Sequence, residues 1–379
     1  MSVRRLSATL ACLLLAACRT DQENAAPAAA PATPIAAVAP PKPSALPPAL
    51  LQQRLQTLAG DFDGQVGVAV KDLGGDWVAA VNPRQRFPQQ SVMKVWLAVA
   101  VLDAVDRGEM ALSDTILLER QDLSLHHQPI KGAVLDDGRH LASIEELLRL
   151  AVGKSDNAAT DALIRRLGGS DAVEAVLARK GLAGVRIGPE ERVLHTRLAG
   201  LVWRADYAYP QVFDRERQAV PTAQRRALLE AYLLDPWDGA TPPGLISGLQ
   251  ALKSGRLLSP ESTARLLTVM SGSNTGRSRL RAGLEPGWLL AHKTGTGPDL
   301  DAWTYGYNDM GLLTAPDGRV YAVAAMIAMT GVSIRERQTF LSSVSRAVVT
   351  HWKREQASGG GAGQPMAAYT GTSAAAQAE

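Results

Sequence analysis

Cysteine is almost missing from this chain of 379 residues: there are two, Cys12 and Cys18, both within the first eighteen positions. That excludes a disulfide-stapled fold and a cysteine-built zinc site. Charge is nearly balanced at a formal +3, with no block of lysine and arginine in the main body of the chain. A nucleic-acid partner would need such a block, so none is expected. The six histidines, the His126-His127 pair included, show no helical ligand spacing beside carboxylates. Neither a metal nor any other cofactor is therefore expected. Internal repeats are lacking as well. The apolar run at the amino terminus, residues 6–17, is too short to span a bilayer.

What is present begins with Arg4-Arg5, that apolar run, and Leu15-Ala16-Ala17-Cys18. A basic start, a short apolar core and small residues before a cleavage point describe an export signal, residues 1–17. A cysteine at the junction resembles the lipobox of bacterial lipoproteins. The resemblance implies lipidation of Cys18, and Arg19 after it favours the outer membrane. The alternative is a plain signal peptide with an incidental cysteine, which would leave the protein free in the periplasm. Loss of Arg4 and Arg5 lowers the formal charge by two, to +1. Residues 18–48 are rich in alanine and proline and read as an extended tether. Residues 356–379 are rich in glycine and alanine and read as a disordered tail. Between them, residues 49–355 read as one domain, long for a single core and suited to two lobes.

Strand patterns lie at opposite ends of that domain. Val66, Val68 and Val70 alternate, and Gly74-Gly75 turns the chain into residues 77–81. Far along the chain, residues 288–291 lead into Lys293-Thr294-Gly295, and residues 310–314 turn at Pro316-Asp317-Gly318 into residues 320–328. Between them the chain reads as helical. Ser143 and Glu146 make a capping box, Gly168-Gly169 stops a helix, and Ser259-Pro260 starts one. A last helix covers about residues 334–353. The expected fold is therefore two-lobed α/β: an antiparallel sheet flanked by helices and built from both chain ends, plus an inserted all-α lobe, residues 88–270. A site would lie in the cleft between them.

One helix stands out. After Ser91, residues Val92, Met93, Val95, Trp96, Leu97, Val99, Val101, Leu102 and Val105 leave almost no polar face, so it is buried on nearly all sides. Lys94 sits inside it, where a lysine costs several kcal/mol unless paired or neutral. Three residues apart, Ser91 and Lys94 share a face, and a desolvated lysine can take a serine proton. S-x-x-K alone is a weak signal; a capping serine and a snorkelling lysine give the same letters. Two further motifs follow, Ser155-Asp156-Asn157 between helices and Lys293-Thr294-Gly295-Thr296 after a strand. Serine can pass a proton to a departing amide nitrogen, and asparagine offers both a donor and an acceptor. S-D-N can also simply cap the helix that follows.

S-x-x-K, S-D-N and K-T-G in this order resemble the motif set of class A serine β-lactamases. The resemblance implies a β-lactamase/D,D-peptidase-like fold and a Ser91 acyl-enzyme formed with Lys94 and Ser155 and acting on small β-lactam substrates. It gives Asn157 to the acylamino side chain, Lys293 and Thr294 to the substrate carboxylate, and close backbone approach to Gly295. Thr296 N–H and Ser91 N–H become the oxyanion hole. His127 takes the gate position at the cleft mouth. Glu191, 34 residues after Asn157 in Glu191-Arg192-Val193-Leu194, stands where the family carries its deacylating glutamate. Glu190 is the alternative carboxylate. His195 replaces the asparagine that usually helps hold the water. A D,D-peptidase or a slowly deacylating penicillin-binding lipoprotein shares the three motifs and lacks the placed glutamate. The protein is expected to act as a monomer.

Two departures from the family pattern stand out. Residues 196–240 replace a short crossing with 45 residues carrying Trp203, Tyr207, Tyr209, Phe213 and Trp237. Those aromatics suit a local small core at the rim of the site better than direct substrate contact. The second departure is a missing arginine: residues 298–308 offer none for the substrate carboxylate, and Arg277, Arg279 and Arg281 are near only in sequence.

Overall fold

Alternating valines at residues 64–72 build the second strand of a sheet whose order is Ala79–Val81, Gly64–Asp72, Val320–Thr330, Trp303–Thr314, Leu289–Thr296. The computed structural model describes residues 46–358 apart from Ala183. The export signal, Cys18, most of the tether and the tail beyond residue 358 lie outside the described residues. Every neighbouring pair of strands is antiparallel, and the early hairpin joins the late strands through Val68 opposite Ala325. The sheet is thus assembled from both ends of the domain, as the strand patterns indicate.

Both faces of the sheet are covered, by the period-2 alternation of its side chains. Val66, Val68, Val70, Val323 and Ala325 face the helices Ala49–Gly60 and Ile334–Ala357, meeting Leu51, Leu55, Phe340, Leu341 and Val344. Ala69, Met310, Leu312, Ala324 and Met326 point the other way into the larger core, around the helices Lys94–Asp106 and Pro242–Lys253. Trp96 is fully buried there, and any Cβ on Gly248 would sit 2.5 Å from its ring, so this crossing requires glycine.

The structure corrects the sequence reading in several places. The nucleophile segment does not enter an α-helix directly: Gln90–Met93 is a 3₁₀ turn, and the α-helix starts at Lys94. A 3₁₀ turn eclipses residues three apart, so Ser91 and Lys94 still share a face. The inserted lobe is not wholly helical. Thr115–Glu119 pairs with Arg139–Ser143, and Phe87–Pro88 pairs with Gly239–Ala240. The first of these pairs leaves Leu117 and Leu141 exposed opposite one another, so no apolar–polar alternation in the sequence marks it. At the other end, the last helix runs on to Ala357, into the stretch assigned to the tail. It has no glycine before Gly359 to stop it, and Arg354 suits its C-terminal dipole.

Residues 196–240 are ordered structure. Thr196–Leu198 complete the helix Glu191–Leu198; Pro210–Ala219 and Thr222–Leu234 are helices, the second with the limits its apolar spacing indicates. Tyr207 and Phe213 pack with Leu125 and Ala199, while Leu229 and Tyr232 pack with Leu194, Leu198, Leu300 and Tyr305. Tyr207 and Phe213, with Trp203 half-buried beside them, do form a small core that fastens the segment to the main lobes, whereas Tyr209 and Trp237 stay exposed.

Candidate active site

A cavity of about 690 Å³ opens between the lobes, lined among others by Ser91, His127, Ser155, Asn157, His195, Thr294 and Thr296. The S-D-N motif reaches it from a strained turn. Ser155 has φ +62°, in the left-handed region, which costs a residue with a Cβ about 1 kcal/mol or more. Asp156 anchors the turn: its Oδ1 accepts from Ala159 N as the N-cap of the helix Asn157–Arg166, and its Oδ2 accepts from Ile130 N. Capping and site-building therefore coexist in the motif. Asn157 is held at both ends, with Oδ1 accepting from Lys94 Nζ at 2.6 Å and Nδ2 donating to Leu125 O.

Lys94 is completely buried and does not snorkel. Its Nζ reaches Ser155 O at 3.0 Å and Glu191 Oε1 at 3.0 Å. Glu191 is 2% exposed, and its other oxygen lies 3.1 Å from His195 Nε2. Burial alone would raise the Glu191 pKa, but Lys94 and His195 together hold it well below the usual carboxylate range. Glu190, the alternative, points elsewhere and pairs with Arg165 and Arg192 at 2.8 and 2.9 Å.

Two side chains that sequence reasoning missed complete this region. Asp161, fully buried on the helix Asn157–Arg166, accepts from Glu191 N at 2.6 Å, Arg192 N at 3.2 Å and Ser124 Oγ at 2.7 Å. It fastens the start of the helix that carries Glu191. Burial, then the nearby Glu191 charge, pushes its carboxyl up to about 7. The available signal was an aspartate in the otherwise apolar run Ala158-Ala159-Thr160-Asp161-Ala162-Leu163. His126 is the second. Its ring stands edge-on to His195 at 4.6 Å, and burial lowers its pKa to about 3, so it packs as a neutral ring. His127 lines the cavity with Nε2 2.8 Å from Lys154 O.

On the K-T-G strand, Lys293 is buried, with Nζ donating to Ser155 Oγ and Thr294 O, both at 2.9 Å. Burial, then Lys94 and Arg279, lower its pKa well below the ordinary lysine value. Gly295 is obligatory, since a Cβ there would lie 2.2 Å from Gln89 O, on the segment leading to the nucleophile. An arginine does reach the cavity, from the loop before the strand. Arg279 lines the cavity, donates to Gly295 O, Asn308 O and Thr296 Oγ1, and stacks 3.7 Å from the Tyr307 ring centroid. Only the cluster of three arginines hinted at it, because residues 277–281 have no periodic tie to the strand.

A serine, two buried lysines, a second serine and a buried carboxylate thus gather around one interlobe cleft. The chain belongs to the Beta-lactamase enzyme family, which it matches over residues 50–352. It is 26% identical over 297 residues to β-lactamase VEB-1 of Pseudomonas aeruginosa, covering 78% of this chain and 88% of that one. With the extended-spectrum β-lactamase PER-1 of the same organism it shares 28% over 298 residues, 78% and 85% of the two chains. A solved β-lactamase from Chitinophaga pinensis superposes with TM-score 0.65 at 28% identity, over 80% of this chain and 99% of that one. TLA-1 extended-spectrum β-lactamase, at 24% identity and TM-score 0.66 over 80% and 98% of the two chains, shows the same fold. This protein is a serine β-lactamase of class A.

Proposed function

We propose that the enzyme opens the β-lactam ring through an ester on Ser91 and hydrolyses that ester with a water held by Glu191. The observation that carries this reading is the buried chain Lys94–Glu191–His195, whose last member lines the same cavity as Ser91. A D,D-peptidase or a stalled penicillin binder needs no such carboxylate. Lys94, paired with a carboxylate, acts as a relay: it takes the Ser91 proton as it passes one to Glu191. Ser91 Oγ attacks the lactam carbonyl, whose oxygen is stabilised by Ser91 N–H and Thr296 N–H. As the C–N bond breaks, Ser155 Oγ protonates the nitrogen and takes a proton from Lys293 Nζ, 2.9 Å away, which regains it from protonated Glu191 by way of Lys94. Glu191 returns to carboxylate, so the net transfer is the Ser91 proton to the ring nitrogen. Glu191 then takes a proton from water as that water attacks the ester. Arg279, Thr294 and Thr296 receive the substrate carboxylate, and Asn157 the acylamino group.

The purified domain should hydrolyse a chromogenic cephalosporin, and Ser91→Ala should abolish turnover. Mixing with penicillin and quenching with acid during turnover should add the penicillin mass to Ser91; absence of that adduct from both the wild type and Glu191→Gln would overturn the assignment. We place the enzyme in the periplasm, anchored to the outer membrane by acyl chains on Cys18. No described helix is long and apolar enough to cross a membrane. Cys18→Ser should therefore leave the membrane fraction, and its retention there would point to another anchor.

A further inference from the structure

The inserted segment also touches the catalytic machinery on the side of the nucleophile. Tyr232, on the inserted helix Thr222–Leu234, is 2% exposed, and its hydroxyl donates to Asp238 Oδ1 at 2.6 Å. The other oxygen of Asp238 accepts from Gln90 N at 2.6 Å, one residue before the nucleophile. Gln90 closes the ring by donating from Nε2 to the Tyr232 hydroxyl at 3.0 Å. Gln90 itself has φ +53°, a conformation that a side chain with a Cβ holds only when its surroundings impose it. Gln89 adds to the grip, donating to Asp238 O and Arg186 O while accepting from Trp96 Nε1. From the opposite strand, Asn308 Nδ2 donates to Pro88 O and Gln89 O.

We propose that Tyr232 is a positioning residue for acylation: through Asp238 it holds Gln90 in its strained conformation and thereby fixes the Ser91 hydroxyl and the Ser91 N–H. The insertion is thus a brace for the nucleophile as well as a wall of the cleft. The proposal rests on Ser91 being the acylated residue. It concerns acylation, because the Tyr232 hydroxyl bonds to Asp238 and Gln90, whereas Glu191 is held by Lys94, His195 and Asp161 and meets Tyr232 only through ring packing on Leu194 and Leu198, which phenylalanine keeps. The groups facing Asp238 are the Tyr232 hydroxyl, the Gln90 N–H, its own backbone and, by charge, Glu191. Burial pushes the Asp238 carboxyl up to about 6, while the Tyr232 bond, then that from Gln90 N, hold it down. Protonation of Asp238 weakens its hold on Gln90 N, so acylation should fall on the acid side. Removing the Tyr232 hydroxyl should move that fall to higher pH.

The test compares Tyr232→Phe with the wild type, using stopped-flow acylation by a chromogenic cephalosporin and deacylation followed by intact-protein mass spectrometry. Expected are an acylation rate constant lower by about tenfold or more, a deacylation rate within about twofold, and an acid limb of the acylation profile displaced upward. Leu233→Ala, on the same helix, controls for loss of packing. If it lowers acylation as much as Tyr232→Phe at equal loss of stability, the brace is mere packing and the proposal falls. It falls equally if Tyr232→Phe acylates at the wild-type rate with an unmoved acid limb. Absence of any Ser91 adduct from both the wild type and Glu191→Gln would instead overturn the proposed function, and this proposal with it.

Discussion

Adjacent glutamates at 190 and 191 have opposite surroundings, and that contrast makes the deacylation step testable at single residues. Glu191 faces a lysine and a histidine in a buried pocket, whereas Glu190 sits among half-buried arginines. Glu191→Gln keeps the volume and avoids leaving Lys94 beside a hole, although loss of the charge still strands a buried ammonium at a cost of up to about 3–5 kcal/mol. The variant should acylate at Ser91 and hold the adduct, with deacylation slowed by about 10²-fold or more. Glu190→Ala should turn over as wild type and lose at most about 1 kcal/mol, as partly exposed ion pairs do. Intact-protein mass spectra taken through a penicillin chase decide it: a persistent adduct on the Glu190 variant and none on the Glu191 variant would put the base in the wrong place. At this scale the sequence was legible wherever chemistry dictates spacing. Ser91 and Lys94 must share a face, whereas Glu191 was reached only through the resemblance to the family, by its interval after Asn157. Arg279 and Asp161 were not legible, because each acts through a fold-dependent approach that leaves no period.

Helices and strands were readable in proportion to how one-sided their environment is. The run from Val92 to Val105 announces a buried helix, and the alternating valines at residues 64–72 a strand, because each has a single consistent packing surface. The pair Thr115–Glu119 and Arg139–Ser143 escapes such reading, since Leu117 and Leu141 face solvent and break the alternation. The 3₁₀ turn at Gln90–Met93 escapes it too: the Asp238 carboxylate, almost 150 residues downstream, takes the Gln90 N–H, and no local propensity encodes that. The insertion shows both behaviours. Leu228, Leu229, Tyr232 and Leu233 predict the helix Thr222–Leu234, but nothing in their spacing tells that Tyr232 turns its hydroxyl toward Asp238 while Leu229 lines the cleft. Two small cores and the ion pair of Arg226 with Asp301 explain how so long an insertion stays docked against the site.

Across the whole molecule, the buried carboxylates give stability a pH dependence of mixed sign. Asp161 and Asp238 have folded pKa values raised to about 7 and about 6 from the ordinary carboxylate value near 4. In the interval between those values the native state keeps protons that the unfolded chain has released, so stability falls as pH rises through it. Glu191 has the opposite sense: its folded pKa is depressed, so its contribution is present above about 4 and lost as pH falls below that. The two windows barely overlap, so the contributions of the raised and the depressed carboxyls can be read apart. Asp161→Asn isolates one of them. Asparagine offers only one oxygen to Glu191 N, Arg192 N and Ser124 Oγ, which imposes a roughly constant penalty. The pH-dependent part of the Asp161 contribution disappears with the carboxyl. Urea unfolding at fixed ionic strength should therefore show the variant gaining on the wild type steadily between about pH 4 and pH 7, then running parallel to it above pH 7. A difference that stays flat from pH 4 to pH 8 would mean that Asp161 titrates as an ordinary carboxylate and that its three hydrogen bonds outweigh its burial.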